Sequence, residues 1–403
     1  MKIIVLKFGG TSVGSIARIK KIAKIIKAYS KSYRVIVLSS AMSGTTNKLI
    51  DLSKKISKNF SDQEYDVLVS TGEQISCSLL AGQLIENGLI ARSLMAWQIP
   101  IVTEGEYKFS RIKYIDKKKI LNFLKSGGIP IISGFQGINK DLNITTIGRG
   151  GTDASAIMFA KFFKAERCVI YTDVEGIYTT DPNKLKKAKK IKNISYEEML
   201  EMASLGSKVM QPHSIQDARL NRINIEVKSS FFNKTGTLIT KRKNIISNKI
   251  ITGISSTDND AKVTLLGVKD RPGIAALIFK PLSQNSINVD MVVQNISSNG
   301  KETDLTFTIK SFDLNKTIKI LKNNTKISFK KLIVDKNVSK VSIIGVGMIT
   351  TPGVTFRMFQ ALAKQNINIQ VISTSEIKIS VLIKRKNILK AIKALHAEFN
   401  LNK

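Results

Sequence analysis

The stretch Lys7-Phe8-Gly9-Gly10-Thr11-Ser12-Val13 directly follows an apolar run at residues 1–6. A buried strand that turns into a helix through Lys-x-Gly-Gly is typical of phosphate binding, because glycines lack a Cβ and let backbone N–H groups approach an anion. The positive end of the following helix dipole points to the same place. Lys7 adds a full charge at the end of the strand, where open α/β sheets bind ligands. An ordinary strand-to-helix turn with a solvated lysine is the alternative, and the stretch by itself does not indicate which reaction.

The composition is that of a globular protein. The 403 residues are enough for two or three domains, with 43% hydrophobic and 23% charged residues. No apolar stretch approaches the ~18 residues of a membrane span. We expect no signal peptide, because Met1 leads directly into a core-type strand. Cys77 and Cys168 are predicted to be buried free thiols in a reducing cytoplasm, and two histidines, His213 and His396, without a cysteine cluster argue against a zinc site.

The net charge of +34 raises the question of nucleic-acid binding. The lysines are spread over the whole chain, however, and aromatic residues make up only 6% of it. Basic residues do not alternate with aromatic ones, as a base-stacking surface requires. The densest basic run, six lysines within residues 184–192, reads as a solvated loop. We therefore expect acidic small molecules as partners, and neither a nucleic acid nor a membrane.

Strand-like and helix-like patterns alternate over the first 220 residues, which predicts an α/β fold. A helical pattern at 13–29 places Ile16, Ile19, Ala23 and Ile26 on its apolar face. The other predicted elements are strands at 34–38, 129–133 and 168–171 and helical patterns at 65–87 and 195–219, interrupted at 70–73 and 206–209.

Three polar segments interrupt this pattern. A hydroxyl-rich loop at 39–46 could bind a ligand without crowding it, and Glu73 beside a mid-helix glycine could meet an ammonium group. A plain turn and an exposed glutamate are the alternatives.

The third and richest segment is Gly148-Arg149-Gly150-Gly151-Thr152-Asp153, which we predict to lead into a helix capped by Thr152 or Asp153. Arg149 could grip a carboxylate or a phosphate through two parallel hydrogen bonds. A glycine-rich connection before a capped helix is the alternative. Asp173, at a predicted strand end, suits a ribose hydroxyl or a magnesium ion, and Lys208 is a second candidate for phosphate.

Known kinase and dehydrogenase signatures are absent from the sequence. There is no Gly-x-x-x-x-Gly-Lys-Ser/Thr loop, no His-Arg-Asp or Asp-Phe-Gly set, and no Gly-x-Gly-x-x-Gly in the first strand–helix unit. These absences exclude a P-loop phosphotransferase and a protein kinase, and they weaken a dinucleotide dehydrogenase.

The chain repeats itself after a basic, unpatterned segment at 241–249. Val263-Thr264-Leu265-Leu266-Gly267-Val268 matches Val341-Ser342-Ile343-Ile344-Gly345-Val346, and Pro272-Gly273-Ile274 returns as Pro352-Gly353-Val354. Each copy is predicted to run strand, Pro-Gly loop, helix, strand, strand, helix. Neither copy carries a promising nucleophile or base. We interpret the pair as regulatory, with a structural dimerisation tail as the alternative.

These motifs, together with Thr172-Asp173-Val174-Glu175-Gly176-Ile177-Tyr178 and Asp181-Pro182, resemble aspartate kinase from one end of the chain to the other. The resemblance implies an amino-acid-kinase domain, with an open, mainly parallel sheet and helices on both faces, followed by two α+β ferredoxin-like ACT modules. We expect the monofunctional type, because the chain stops at residue 403. The implied divisions are a catalytic domain at 1–240, a linker at 241–250 and ACT modules at 251–332 and 333–403.

The resemblance also implies a reaction. Aspartate kinases transfer the γ-phosphoryl group of ATP to the β-carboxylate of L-aspartate, the first step towards lysine, diaminopimelate, threonine and methionine. The implied cofactors are ATP and Mg²⁺, with the metal held mainly through the nucleotide phosphates rather than by dedicated protein ligands. Two alternatives stay open: an amino-acid-binding regulator without catalysis, and a kinase of a different acidic amino acid.

Residue roles follow from the same resemblance. Catalysis is expected from Lys7, Lys208 and Asp153. ATP binding is expected from Lys7, Gly9, Gly10, Thr172, Asp173, Tyr178, Asn183, Lys208 and Val209. Asn183 stands where close relatives carry an arginine, and Lys184 is a candidate substitute. Aspartate binding is expected from Ser40, Thr46, Glu73, Arg149, Gly150 and Asp153.

The ACT pair implies control and assembly. An amino-acid effector, lysine or threonine or both together, is expected to meet Asp270, Asn288, Asp290, Gln294, Val354, Thr355, Asn368, Ile369 and Ser375. The modules are also expected to join chains into a homo- or hetero-oligomer.

Overall fold

The computed structural model of the chain describes residues 1–148, 150–206, 209–242, 245, 249–296 and 302–402. They form two compact units, Met1–Ile177 with Lys190–Ser247 and Tyr178–Lys189 with Asn248–Lys403. Of the helices in the described part of the chain, none is both long and apolar enough to cross a membrane.

The first unit alternates strands and helices. In chain order its elements are β1 (Ile3–Phe8), α1 (Ile16–Ser30), β2 (Arg34–Ser39), α2 (Thr45–Ile56), α3 (Asp62–Glu86), β3 (Ala91–Leu94), β4 (Ile101–Glu104), β5 (Arg111–Ile115), α4 (Lys118–Lys125), β6 (Ile129–Ser133), β7 (Gln136–Ile138), β8 (Ile144–Thr146), α5 (Gly151–Phe162), β9 (Cys168–Thr172), β10 (Asn193–Ser195), α6 (Tyr196–Ser204), α7 (Pro212–Asn221), β11 (Ile225–Ser229) and β12 (Thr237–Thr240).

An open sheet forms the centre of this unit. Within the described residues it has eight strands in the order β10-β12-β11-β9-β1-β2-β6-β3, and the six from β11 to β3 are parallel. A second sheet has the order β5-β4-β7-β8. The predicted mainly parallel α/β sheet is confirmed. Because the central strands are parallel, the segments that follow β1, β2, β6 and β9 meet at one edge of the sheet.

Helix α1 shows how burial differs from the sequence pattern. Its apolar face contributes Ile19, Ile22, Ala23 and Ile26 to the core of the first unit. Ile16 is 53% exposed, so its predicted place on the buried face is wrong. Helix α1 begins at Ile16, after the N-cap Ser15, whose side chain accepts a hydrogen bond from the N–H of Arg18, so Ile16 lies at the end of the buried face.

The second unit is built from the repeated modules. Its elements are β13 (Gly253–Lys269), α8 (Ile274–Gln284), β14 (Val289–Ile296), β15 (Glu302–Lys310), α9 (Leu314–Asn323), β16 (Lys331–Ile344), α10 (Val354–Ala363), β17 (Ile369–Ser375), β18 (Lys378–Lys384) and α11 (Ile388–Glu398). Its described strands form one antiparallel sheet in the order β14-β15-β13-β16-β18-β17.

The two modules share their central strands β13 and β16. These strands pair from Gly253 opposite Ile344 to Leu266 opposite Lys331. The later part of β13 pairs with β15, whereas the later part of β16 pairs with β18. Ile254, early in β13, lies in the core of the second module, and Leu332, early in β16, packs on the core of the first. Each module thus completes its sheet with a segment from outside its own repeat, and the predicted division between residues 332 and 333 lies inside β16.

Residues Tyr178–Lys189 also belong to this second unit. The hydroxyl of Thr179 is 3.0 Å from Nε2 of the buried His396, and its carbonyl accepts from the N–H of Ile254 at 2.7 Å. Leu185 packs on the core of the second module. A segment that the sequence analysis placed within residues 1–240 is therefore packed with the repeated modules.

Candidate functional site

The carboxyl end of β1 carries a buried ion pair. Lys7, only 8% exposed, places Nζ 2.6 Å from Oδ1 of Asp153, which lies in the first turn of α5. A Cβ on Gly9 would lie 3.3 Å from that Nζ and 3.4 Å from the carbonyl oxygen of Tyr171. Glycine therefore keeps the space beside the lysine amino group open.

The glycine turn packs against the hydroxyl-rich loop after β2. The N–H of Ser43 donates to the carbonyl of Gly10 at 3.1 Å, and the N–H of Ser40 donates to the carbonyl of Phe8 at 3.0 Å. A Cβ on Gly10 would lie 2.8 Å from the carbonyl oxygen of Ala41, closer than real Cβ contacts. The structure thus brings together two loops that are about 30 residues apart in sequence.

Glu73 lies beneath the same loop. Helix α3 continues through Gly72, where a Cβ would lie 2.8 Å from Cβ of Ala41, so glycine allows this close packing. Oε1 of Glu73 accepts from the N–H of Ala41 at 3.0 Å, whereas Oε2 is buried without a partner among the described residues. Burial raises the pKa of this carboxyl to about 8. An ammonium group beside Oε2 would favour the ionised form.

Helix α5 begins earlier than predicted. Its N-cap is Gly150, with φ of 76°, and Thr152 and Asp153 lie within the first turn, so the predicted cap was wrong. The left-handed conformation of Gly148 and Gly150 turns the chain before those residues. Asp153 at the helix start lies where the dipole favours a carboxylate.

The remaining predicted nucleotide residues are divided between the two units. Thr172 ends β9, which pairs with β1, and Asp173 follows it. The hydroxyl of Thr172 donates to Oδ1 of Asp173 at 3.1 Å. Tyr178 and Asn183 belong to the second unit, and Asn183 is exposed. Lys184 was a candidate substitute for the expected arginine, but its Nζ contacts Oδ2 of Asp258 at 2.8 Å.

Three other predicted site residues are half-buried: Ser40, Thr46 and Val209. A Cβ on Gly150 would lie 2.4 Å from Cγ of Gln211, so the chain leading into α7 packs closely against the start of α5. Arg149 and Lys208 lie outside the described residues.

Comparison with known proteins decides the family. Residues 2–229 match the amino acid kinase family, and residues 263–324 and 341–399 match the ACT domain. An aspartate kinase of Stutzerimonas stutzeri is 45% identical over 405 residues, covering 100% of this chain and 98% of that protein. The chain belongs to the aspartate kinase family. The predicted family and its two-part architecture are therefore confirmed.

Two further relatives extend this finding. Aspartokinase 2 of Bacillus subtilis is 40% identical over 405 residues, with 100% of this chain and 99% of that protein covered. Among solved structures, aspartokinase III of E. coli in complex with lysine and aspartate has a TM-score of 0.81 at 25% identity, covering 99% and 100% of the two chains. The aspartate kinase fold thus extends over the whole chain.

The first ACT module of this aspartate kinase family member contains a cavity of about 380 Å³. Its lining includes Asp270, Pro272, Gly273 and Gln294, so two of the predicted effector residues face one space at the start of α8. Asp290 instead pairs with Nζ of the buried Lys340.

The other predicted effector residues do not line this cavity. Asn288, Thr355, Asn368 and Ser375 are exposed, Ile369 is half-buried and Val354 is buried at the start of α10.

Two buried polar residues near the site were missed by the sequence analysis. Gln136 donates to the hydroxyl of Ser133 at 2.6 Å and to the carbonyl of Ser70 at 3.3 Å, which joins the end of β6 to α3. Asp66 is fully buried in α3. Its spacing of seven residues from Glu73, about two helical turns, was a signal that both carboxylates share one face.

Proposed function

We propose that this chain transfers the γ-phosphoryl group of ATP to the β-carboxylate of L-aspartate, giving 4-phospho-L-aspartate and ADP. This reaction is the first step in the biosynthesis of lysine, diaminopimelate, threonine and methionine. We place it in the cytoplasm, where the buried cysteines Cys77 and Cys168 stay free thiols.

The observation that carries the proposal is the pairing of a cationic and an anionic subsite at one sheet edge. Lys7, beside Gly9 and Gly10, offers charge and open space to phosphate oxygens. Glu73 offers a buried oxygen without a described partner, suited to the ammonium group of an amino acid. A kinase that phosphorylates an amino acid needs both.

The chemistry requires no general base. The side chain of aspartate has an ordinary pKa of about 3.9, so the attacking carboxylate is already ionised at neutral pH. Its oxygen forms a bond to the γ-phosphorus while the bond from that phosphorus to the bridging oxygen of ADP breaks. The obstacle is repulsion between two anions, which Lys7 and the helix N-termini reduce through positioning and charge stabilisation.

The resemblance supplies three further roles for our proposal. Lys208 stabilises the transferring group together with Lys7, Arg149 binds the α-carboxylate of aspartate, and Asp173 lies on the nucleotide side with Thr172. Arg149→Lys should then raise the aspartate KM strongly, because lysine cannot form the bidentate pair. The ATP KM should stay nearly constant.

Magnesium fits this site only as a companion of the nucleotide. Within the described part of the chain no three His, Cys, Asp or Glu side chains are grouped to hold a metal, and Asp153 is engaged by Lys7. Mg²⁺ characteristically binds one or two carboxylates together with substrate phosphates. We therefore assign the ion to the ATP phosphates, where it would neutralise charge, with Asp173 as the candidate protein ligand.

We further propose that the ACT modules bind a free amino acid. The cavity at the start of α8 is bordered by a carboxylate, Asp270, and by the first residues of the helix, which match an ammonium and a carboxylate respectively. Aspartokinase III of E. coli was solved with lysine and aspartate bound. Lysine, threonine or both are the candidate effectors here, and the modules are the candidate surface for oligomer formation.

The decisive experiment measures ADP formation by the full chain with ATP and Mg²⁺. Aspartate, glutamate and N-acetylglutamate are supplied side by side, each with and without lysine and threonine. We expect ADP formation with aspartate and not with glutamate or N-acetylglutamate. Turnover with another acidic amino acid would show that the substrate differs from the one proposed. Effector binding without any turnover would show that the chain is a regulator.

A further inference from the structure

A second buried carboxylate lies on the same face of α3 as Glu73. Asp66 precedes Glu73 by seven residues, so the two side chains lie about two turns apart on one face. Asp66 has no solvent exposure. A buried carboxylate is costly unless its oxygens are hydrogen-bonded, so its partners indicate why it is there.

The two oxygens of Asp66 accept hydrogen bonds from the loop at 105–110 and from the end of β8. Oδ2 accepts from the N–H of Lys108 at 2.9 Å and from the N–H of Thr146 at 2.8 Å. Oδ1 accepts from the hydroxyl of Thr146 at 2.7 Å. These two segments also contact each other, because the N–H of Ser110 donates to the carbonyl of Thr146 at 3.0 Å. One carboxylate thus joins α3 to both segments.

Lys108 is held by α3 through more than Asp66. Its Nζ pairs with the carboxylate of Asp62 and lies 4.5 Å from the centre of the Tyr65 ring. Its φ is 68°, a left-handed conformation that costs a non-glycine residue free energy and persists where surrounding contacts determine it. The loop at 105–110 is therefore held by three residues in the first turns of α3, Asp62, Tyr65 and Asp66.

The two carboxylates of this face differ in whether an oxygen remains to bind a ligand. Glu73 keeps one oxygen without a described partner, which suits a ligand. Asp66 uses both oxygens on the protein itself. Burial raises the pKa of Asp66, and the three hydrogen bonds oppose that rise by favouring the ionised form. Asp66 is built to hold protein segments rather than substrate.

The segment that Asp66 holds leads directly to the ion pair of the site. Thr146 ends β8, Gly148 and Gly150 then turn the chain into α5, and Asp153 in the first turn meets Lys7. We infer that Asp66 is a positioning residue of the phosphoryl-transfer site, which holds Thr146 at the end of β8 and with it the start of α5. This inference rests on the proposed aspartate kinase activity.

The test compares Asp66→Asn with two substitutions of its main partner. Asparagine keeps the shape but loses the negative charge, and its NH2 group replaces the oxygen that accepts from the hydroxyl of Thr146. A small misplacement of a site can cost about 10²-fold, so we expect kcat/KM for aspartate to fall by about 10- to 100-fold. The ATP KM should stay within about twofold. Thr146→Ser keeps the hydroxyl, so its kcat/KM for aspartate should stay near the wild-type value. The kcat/KM of Thr146→Val should fall towards that of Asp66→Asn.

A matched control separates positioning from plain loss of stability. Tyr196→Phe removes another buried hydrogen bond of the first unit, from the Tyr196 hydroxyl to the carbonyl of Ile223 at 2.7 Å. Its kcat/KM for aspartate should remain near the wild-type value even if its melting temperature falls as much as that of Asp66→Asn. If Asp66→Asn matches this control in kcat/KM, the inference is wrong.

The wild type and the two Thr146 variants separate the other possible results. Absence of aspartate turnover in the wild type would overturn the proposed function rather than the role of Asp66. If Asp66→Asn does not fold, the pair Thr146→Val and Thr146→Ser decides, and equal activity of the two would refute the inference.

Discussion

Replacing Glu73 by glutamine should remove a pH dependence from the stability of the first unit. Glu73 is 4% exposed, and burial raises its pKa from 4.5 to about 8. Between these values the folded chain holds a proton that the unfolded chain has lost. The stabilisation is complete below pH 4.5 and is lost as the pH rises through about 8.

The size of the effect follows from proton linkage. Within this window each pH unit lowers the free energy of unfolding by about 1.4 kcal/mol. From pH 6 to pH 7.5 the wild type should lose about 2 kcal/mol through this one group. Glutamine resembles the protonated form and keeps an oxygen for the N–H of Ala41, so Glu73→Gln should show none of this loss.

Urea unfolding at a series of pH values measures this difference. Trp97 is the one tryptophan of the chain and lies in the first unit, so its fluorescence reports on the unit that contains Glu73. Glu86→Gln, at the exposed end of the same helix, serves as the control. A wild-type minus Glu73→Gln difference that stays flat between about pH 6 and pH 7.5 would falsify a neutral Glu73 in the free chain.

The same change has a functional counterpart. If Glu73 meets the substrate ammonium, aspartate binding should ionise it and release about one proton at pH 7, which calorimetry in buffers of different ionisation enthalpy measures. Glu73→Gln should release none and should raise the aspartate KM while leaving the ATP KM nearly unchanged. Equal proton release in both proteins would contradict this role.

Three more predictions follow from the structure. Lys7→Ala should lower kcat by roughly 10²–10³, with a smaller change in aspartate KM; steady-state rates above a tenth of wild type would remove Lys7 from the mechanism. Gly148→Ala should lower the melting temperature more than Gly88→Ala, because both glycines have φ of 79° but only a Cβ on Gly148 would meet a backbone atom, the carbonyl oxygen of Lys108 at 2.9 Å; equal losses would show that this contact is not restrictive. Asp270→Asn should relieve inhibition by lysine or threonine, removing a coupling of about 1–3 kcal/mol without changing uninhibited activity, and unchanged inhibition would place the effector elsewhere.

Much of the fold was predictable because its signals are local. Short stretches of neighbouring residues carry these signals: the apolar run before Lys7 and the helical spacing of Ile19, Ala23 and Ile26. The repeat is recognised in the same way, because each copy is a short pattern that returns about 80 residues later. Burial of one helix face or one strand imposes a short period on the sequence, and that period can be read without knowing what packs against it. The glycine turn after Lys7 was predictable for the same reason, because it too depends on neighbouring residues.

Other features depend on contacts between distant residues. Asp66 and Thr146 are 80 positions apart, and nothing near either residue indicates that a carboxylate will bind both a loop and the end of a strand. Sharing of β13 and β16 between the modules also crosses the repeat boundary, because a strand can pair along both of its edges with different partners.

The sequence by itself therefore determined the alternating strands and helices, the phosphate-type turn and the pair of repeated modules, since these arise from local conformation and periodic burial. Only the tertiary structure decided that Lys7 pairs with Asp153, that Glu73 keeps a buried oxygen without a described partner, and that residues 178–189 pack with the second unit. Desolvation and hydrogen bonding depend on which distant groups surround a side chain, and these surroundings exist only once the chain has folded.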